Sequence, residues 1–242
     1  MDKLNLMVCP HDTAKKPDRW FRFAQYLSQN LDQVVHFELA MDFQEFHQKM
    51  NDADIVYANP GDTVNLLNNN FISVARSTNL YDEVVFIAHP DLDNPSLQSF
   101  QGSKVVSVSK MVATKVGLNA LEIQGITPSE VIDKPSWLAV IKAIANKETD
   151  ASLGFVYKDT YDELGETTKN LVKYIATSER KTIFHEIVLA SKATQIQNTL
   201  TSILLEMNQN PKGKDILNEL NIEQWIVPTE SEIDTIKQLV AK

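Results

Sequence analysis

The sequence predicts an α/β fold in two lobes, and three observations predict it. Short apolar runs that stop at turn residues alternate with amphipathic stretches through the first quarter of the chain. A second alternation of the same kind begins near Val84, and the chain then finishes in helical segments. Strand and helix taken in turn are the pattern of a mostly parallel sheet covered by helices. With 242 residues the chain can bury one large core or two smaller ones.

The elements follow in order. Leu4-Asn5-Leu6-Met7-Val8-Cys9 is an apolar run ended by Pro10, as a buried strand would be. After the polar stretch 11–17, Trp20, Phe21, Phe23, Ala24, Leu27 and Leu31 recur at helical spacing. Residues 34–39 form a second strand, and Asp42 caps a helix through Phe43, Phe46, His47 and Met50. Residues 54–58 make a third strand, ending at Asn59-Pro60-Gly61, with Asp62 or Thr63 opening the next helix. Ile72 to Arg76 and Val84 to His89 read as strands with no long helix between them, and Ser96 to Phe100 as a short helix. Lys104 to Val108 is a strand, Met111 to Gln124 a helix, and Gly125 stands where a C-cap belongs. A helix follows Pro135, with Trp137, Val140, Ile141 and Ile144 on one face. Strands are expected over 150–156, 174–177 and 183–190, then helices over 196–207 and 214–220 before a tail at Trp225.

Composition excludes several functions. A formal charge of −9, from 23 basic and 32 acidic residues, opposes a general nucleic-acid or membrane-surface binder. No apolar run reaches the roughly 18 residues that span a bilayer. The start, Met1-Asp2-Lys3-Leu4, carries no signal-peptide core. One cysteine, Cys9, excludes an intramolecular disulfide and any zinc site built of cysteines, and in its apolar strand it reads as an inert core residue. Seven glycines leave little for phosphate loops, and neither the P-loop nor the dinucleotide fingerprint occurs. His11, His36, His47, His89 and His185 are dispersed and make no HExxH or HxH spacing, and no GxSxG elbow is present. No cofactor, metal or catalytic residue is expected.

The order of segments resembles the phosphate/phosphonate-type substrate-binding proteins of ABC transporters, which have the type II periplasmic-binding-protein fold. The similarity lies in Phe23-Ala24-Gln25-Tyr26-Leu27-Ser28, Asn51-Asp52-Ala53-Asp54-Ile55-Val56, Gln101-Gly102-Ser103-Lys104-Val105-Val106, the long stretch from Ala139 to Ala151, and Asn210-Pro211-Lys212-Gly213-Lys214. The stretch 107–117 keeps only scattered hydroxyls where oxyanion binders of the family carry a Ser/Thr-rich run ending in glycine. Ser136-Trp137 stands where a histidine is common, and Lys147 where glycine precedes the Asp-Ala step. The resemblance implies two lobes, residues 1–85 plus 184–242 and residues 86–183, with a hinge of two crossings and a ligand cleft between them. It also implies a small, anionic, phosphonate- or phosphate-like ligand, a membrane permease or sensor as partner, and a periplasmic or extracytoplasmic place. A monomer that binds no nucleic acid and does not itself enter the membrane is expected.

Strand ends that lead into helix starts are where such a fold holds its ligand, and helix N-termini favour anions. On that basis Tyr57, Asn59 and Thr63 are candidate contacts after the third strand, and His11 after the first. Ser107, Ser109, Lys110 and Thr114 are candidates after the strand near 104–108, where a surface lysine and ordinary capping hydroxyls are the equal alternative. Trp137 stacks on the ligand or anchors its helix to the core, and Tyr157 offers a hydroxyl beside a buried Phe155. Two other functions suit the same fold: the sensing domain of a signalling receptor, and a small-molecule enzyme. The second would need a paired acid and base that these residues do not assemble.

Overall fold

A computed structural model describes residues 3–14 and 16–241. They form two compact units, one of Met1–Leu80 with Phe184–Lys237, the other of Tyr81–Ile183 with Gln238–Lys242. Along the chain the first unit begins with β1 (Leu4–Val8), α1 (Pro10–Thr13), α2 (Asp18–Leu31), β2 (Val35–Glu38), α3 (Phe43–Lys49), β3 (Ile55–Ala58), α4 (Pro60–Asn68) and β4 (Phe71–Ser77). The second carries β5 (Val84–Ala88), β6 (Lys104–Ser107), α5 (Val112–Ile123), β7 (Glu130–Asp133), α6 (Trp137–Ala145), β8 (Leu153–Tyr157), α7 (Lys158–Asp162), α8 (Glu166–Lys169) and β9 (Lys173–Thr177). The chain then returns for β10 (Glu186–Ala190), α9 (Gln197–Leu205), α10 (Pro211–Leu220), β11 (Trp225–Ile226) and α11 (Glu230–Ala241). None of the helices described is long and apolar enough to cross a membrane.

The first sheet runs β11-β4-β10-β3-β1-β2, with β2, β1 and β3 parallel and β10 antiparallel to both β3 and β4. The second runs β7-β6-β8-β5-β9, with β7, β6 and β8 parallel and β5 antiparallel to its neighbours. Side chains alternate between the faces of each sheet as the two-residue period requires. In β3, Ile55 and Tyr57 join the cluster under α2, α9 and α10, while Val56 and Ala58 join the one under α3 and α4. In β5, Val84, Phe86 and Ala88 face α5, and Val85 and Ile87 face α6. Both sheets are therefore covered on both faces, which explains why their central strands read as continuous apolar runs.

Local chemistry fixes the helix ends. Asn59 caps α4, its side chain accepting the Asp62 N–H, and Pro60 takes the first helical position, where no N–H is needed. The helix thus opens at Pro60, ahead of the expected Asp62 or Thr63. Gly125, at φ +73°, closes α5: its N–H reaches the Glu122 carbonyl and the Ile126 N–H reaches Leu121. Gly117 lets α5 lie against β8, since a Cβ there would sit 2.7 Å from the Phe155 ring.

Several expectations need correction. Residues 81–85 go with the second unit, because β5 pairs along its length with β8 and β9. Residues 238–241 go there too, and the Lys115 ammonium reaches the Val240 carbonyl at 2.5 Å. The strand expected from Ile183 starts at Glu186. The polar tract 159–169 holds α7 and α8, largely exposed, with Tyr161 buried. The tail at Trp225 is a short strand on the sheet edge, with Trp225 fully buried.

Candidate functional site

Each sheet has a topological switch point. The chain leaves β1 through α2 for β2 on one side, then crosses back through α3 to β3 on the other. In the second unit it leaves β6 through α5 for β7, then crosses back through α6 to β8. Loops after the carboxyl ends of such neighbouring strands diverge and leave a crevice where α/β proteins place ligands. Seven of the ten candidate residues lie in or just after these strand ends; Thr63 and Thr114 lie in the first turns of α4 and α5, and Trp137 opens α6.

At the first switch point the strand ends carry titratable groups. The Asp12 carboxylate meets His185 Nδ1 at 2.9 Å, and the His11 ring lies 6.1 Å from that of His185. One ligand-type atom from each of His11, Asp12 and His185 lies within 4.8 Å of the other two. Asp12 is held from behind, its carbonyl accepting from Arg19 at 2.7 Å and from the Trp20 indole at 3.2 Å. Tyr57 is fully buried, its ring 4.7 Å from Trp20 and 5.6 Å from His185. Asn59 Nδ2 bonds to Asp62 and lies 3.5 Å from the Cys9 sulfur. Asp62 pairs with His47 at 2.9 Å, and burial raises its carboxyl above the ordinary range despite that pairing. Burial likewise pushes the Cys9 thiol up to about 11. Thr63 is fully buried, its hydroxyl 3.4 Å from the Ala58 carbonyl.

At the second switch point hydroxyls tie the backbone together. Thr114 Oγ1 donates to the Val108 carbonyl at 2.7 Å, so Ser107, also 2.7 Å away, donates its proton to Thr114. Both are buried, and the chain of bonds joins the end of β6 to the first turn of α5. The Ser109 N–H donates to Asp133 at 2.8 Å. That bond, the Ser109 side chain and the Lys110 charge hold the Asp133 carboxyl below its ordinary range. Lys110 is exposed, and no side chain caps α5. Tyr157 donates to Asp82 at 2.9 Å, with Asp159 3.4 Å from the same hydroxyl. Trp137 packs partly buried against the clusters on both faces of the second sheet.

Within the first unit, then, His11 and Tyr57 both lie near the His185 ring, and Asn59 lies beside Cys9 and Asp62. Within the second the fold brings together Ser107, Ser109, Lys110 and Thr114. It adds His185 and Asp12, which the sequence did not assemble. Asp12 follows His11 directly, but His185 stands 173 residues from Asp12, and only the antiparallel placing of β10 beside β3 delivers it.

The family model for periplasmic substrate-binding proteins of phosphonate ABC transporters matches residues 6–233. The chain belongs to that family. Its fold recurs in solved structures. A Xanthomonas citri protein solved with ATP has a TM-score of 0.71 at 13% identity, covering 100% of this chain and 96% of its own. PhnD1 from Prochlorococcus marinus, in complex with methylphosphonate, has a TM-score of 0.70 at 15% identity, covering 98% and 96%. The aliphatic sulphonate binding protein SsuA from Escherichia coli has a TM-score of 0.67 at 10% identity, covering 100% and 91%. No curated protein matches the sequence.

Proposed function

We propose that this member of the phosphonate-binding family captures a small anionic solute outside the cytoplasm and presents it to an ABC-type permease. The observation that carries this reading is the placing of exposed basic groups, His11 and Lys110, at the switch points of the two units. The methylphosphonate and sulphonate bound by proteins of the same fold agree with the ligand class. The two units act as the two lobes of a monomer, and the solute is bound without being turned over.

Among the candidate residues the roles divide by burial. Lys110 supplies charge, His11 a ring nitrogen, the open first turn of α5 supplies N–H groups, and Tyr157 contributes from the end of β8. Tyr57, Thr63, Ser107 and Thr114 are buried and hold the loops in place, as do Asn59 through its cap and Ser109 through Asp133. Trp137 anchors α6 to the core.

Thermal unfolding against methylphosphonate, inorganic phosphate and alkanesulfonates tests the reading. A ligand at a hundred times its Kd adds about 2.7 kcal/mol, a visible rise in Tm. His11→Ala and Lys110→Ala are each expected to weaken that ligand several-fold. Stabilisation by amines or neutral solutes, with none by any anion, would overturn the ligand class.

A further inference from the structure

The strand ends of the first unit carry two carboxylates, Asp12 and Asp62, beside three imidazoles, those of His11, His47 and His185. Within that group, three donors converge from two distant segments. His11 and Asp12 come from the turn that follows β1, and His185 from the residue just before β10. Asp12 and His185 already meet at 2.9 Å, and His11 reaches both within 4.8 Å. A tetrahedral zinc ion with bonds of 2.0–2.1 Å sets its ligands about 3.3 Å apart. Asp12 and His185 need open by only a few tenths of an ångström, and the remainder falls to His11, which is exposed.

We propose that His11, Asp12 and His185 form a binding site for a divalent transition-metal cation of the zinc class. Two imidazoles and one carboxylate are a donor set suited to zinc and iron(II), and three protein ligands leave a coordination position open. Cys9 lies deeper in the core and takes no part. The support expected around such a site is present. Arg19 and Trp20 fix the Asp12 backbone, and the Tyr57 ring lies against His185. The site shares His11 with the proposed anion contacts, and titrating the cation alone keeps the two readings distinguishable.

The test is calorimetric titration of the full chain, stripped with a chelator and then freed of it, with zinc chloride at neutral pH. One zinc per chain is expected, with His11→Ala, Asp12→Asn and His185→Gln each lowering the affinity tenfold or more. His36→Ala, on the exposed side of β2, is expected to bind as the natural chain does. His11 is exposed, so its variant folds even if that of the buried His185 does not. Imidazole NMR resonances give a second reading, with zinc expected to shift those of His11 and His185 and to leave His36 in place. Absence of saturable zinc binding, affinity unchanged by His11→Ala, or shifts confined to His47 would each overturn the site.

Discussion

The loops after β1 and β3 collect carboxylates and imidazoles: Asp12, His11, Asp62 and, across from them, His185 and His47. The loops after β6 and β8 occupy the same places in an equivalent sheet, yet their buried polar groups are the neutral hydroxyls of Ser107 and Thr114, bonded to each other and to backbone. The two helices after β3 and β6 differ in the same sense. The first turn of α4 is filled from within by the Asn59 cap and the Asp62 carboxylate, whereas α5 has no side-chain cap and an exposed lysine beside it. A helix N-terminus that already holds a carboxylate has spent its attraction for an outside anion. One topology thus supports two kinds of strand end, one lined with carboxylates and imidazoles, the other with hydroxyls bonded to each other and to backbone.

The sharpest break between them is expected in pH dependence. Glu186 is fully buried in β10 of the first unit. Burial pushes its carboxyl up to about 7; the Ser73 hydroxyl, Arg76 and Lys237 act the other way, and Glu232 adds to the rise. Since the folded chain holds this proton more tightly than the unfolded one, the stabilisation is complete below about 4.5 and is lost as pH rises through 7. The loss amounts to about 3 kcal/mol by pH 8. Urea unfolding of Glu186→Gln is expected to lack that decline, and equal slopes for the two chains would contradict it. In the second unit, Thr114→Val leaves the Ser107 hydroxyl and the Val108 carbonyl without their partner, which costs about 1–3 kcal/mol. That cost is expected to be the same at pH 5 and pH 8, and unfolding at the two values checks it. The smallest effect concerns Cys9: its thiol is fully buried and stays protonated, so a thiol reagent at pH 8 is expected to label it only after denaturant is added. Rapid native labelling would show that the loop after β1 opens more freely than its packing suggests.

Much of this could be read from the residues themselves. The central strands are covered on both faces, so their apolar runs stood out, and Gly125 announced the end of α5 by the backbone it alone adopts without strain. Of the four edge strands, β2 and β9 were legible and β7 and β11 were not. Glu130-Val131-Ile132-Asp133 offers two apolar residues and pairs on one side only, and Trp225-Ile226 is two residues long. The candidate loops were legible because strand ends follow from the strands. The internal use of their side chains was not, since Ser109 meets Asp133 only when β7 lies beside β6. His185 joins Asp12 for a similar reason: the pairing of β10 with β3 brings together residues 173 positions apart.

That same pairing sets an order of events during synthesis. The first sheet has β4 on one side and β3, β1 and β2 on the other, and the strand that joins them is β10. Until residues 186–190 have been made, β3 presents an open edge, a surface to which other extended chains can add. At usual translation rates, the roughly hundred residues between β4 and β10 take about 5–20 s to appear. Strands β5 to β9 of the second unit are all contained in that stretch, so its sheet has its full set of strands while the earlier one is still in two pieces.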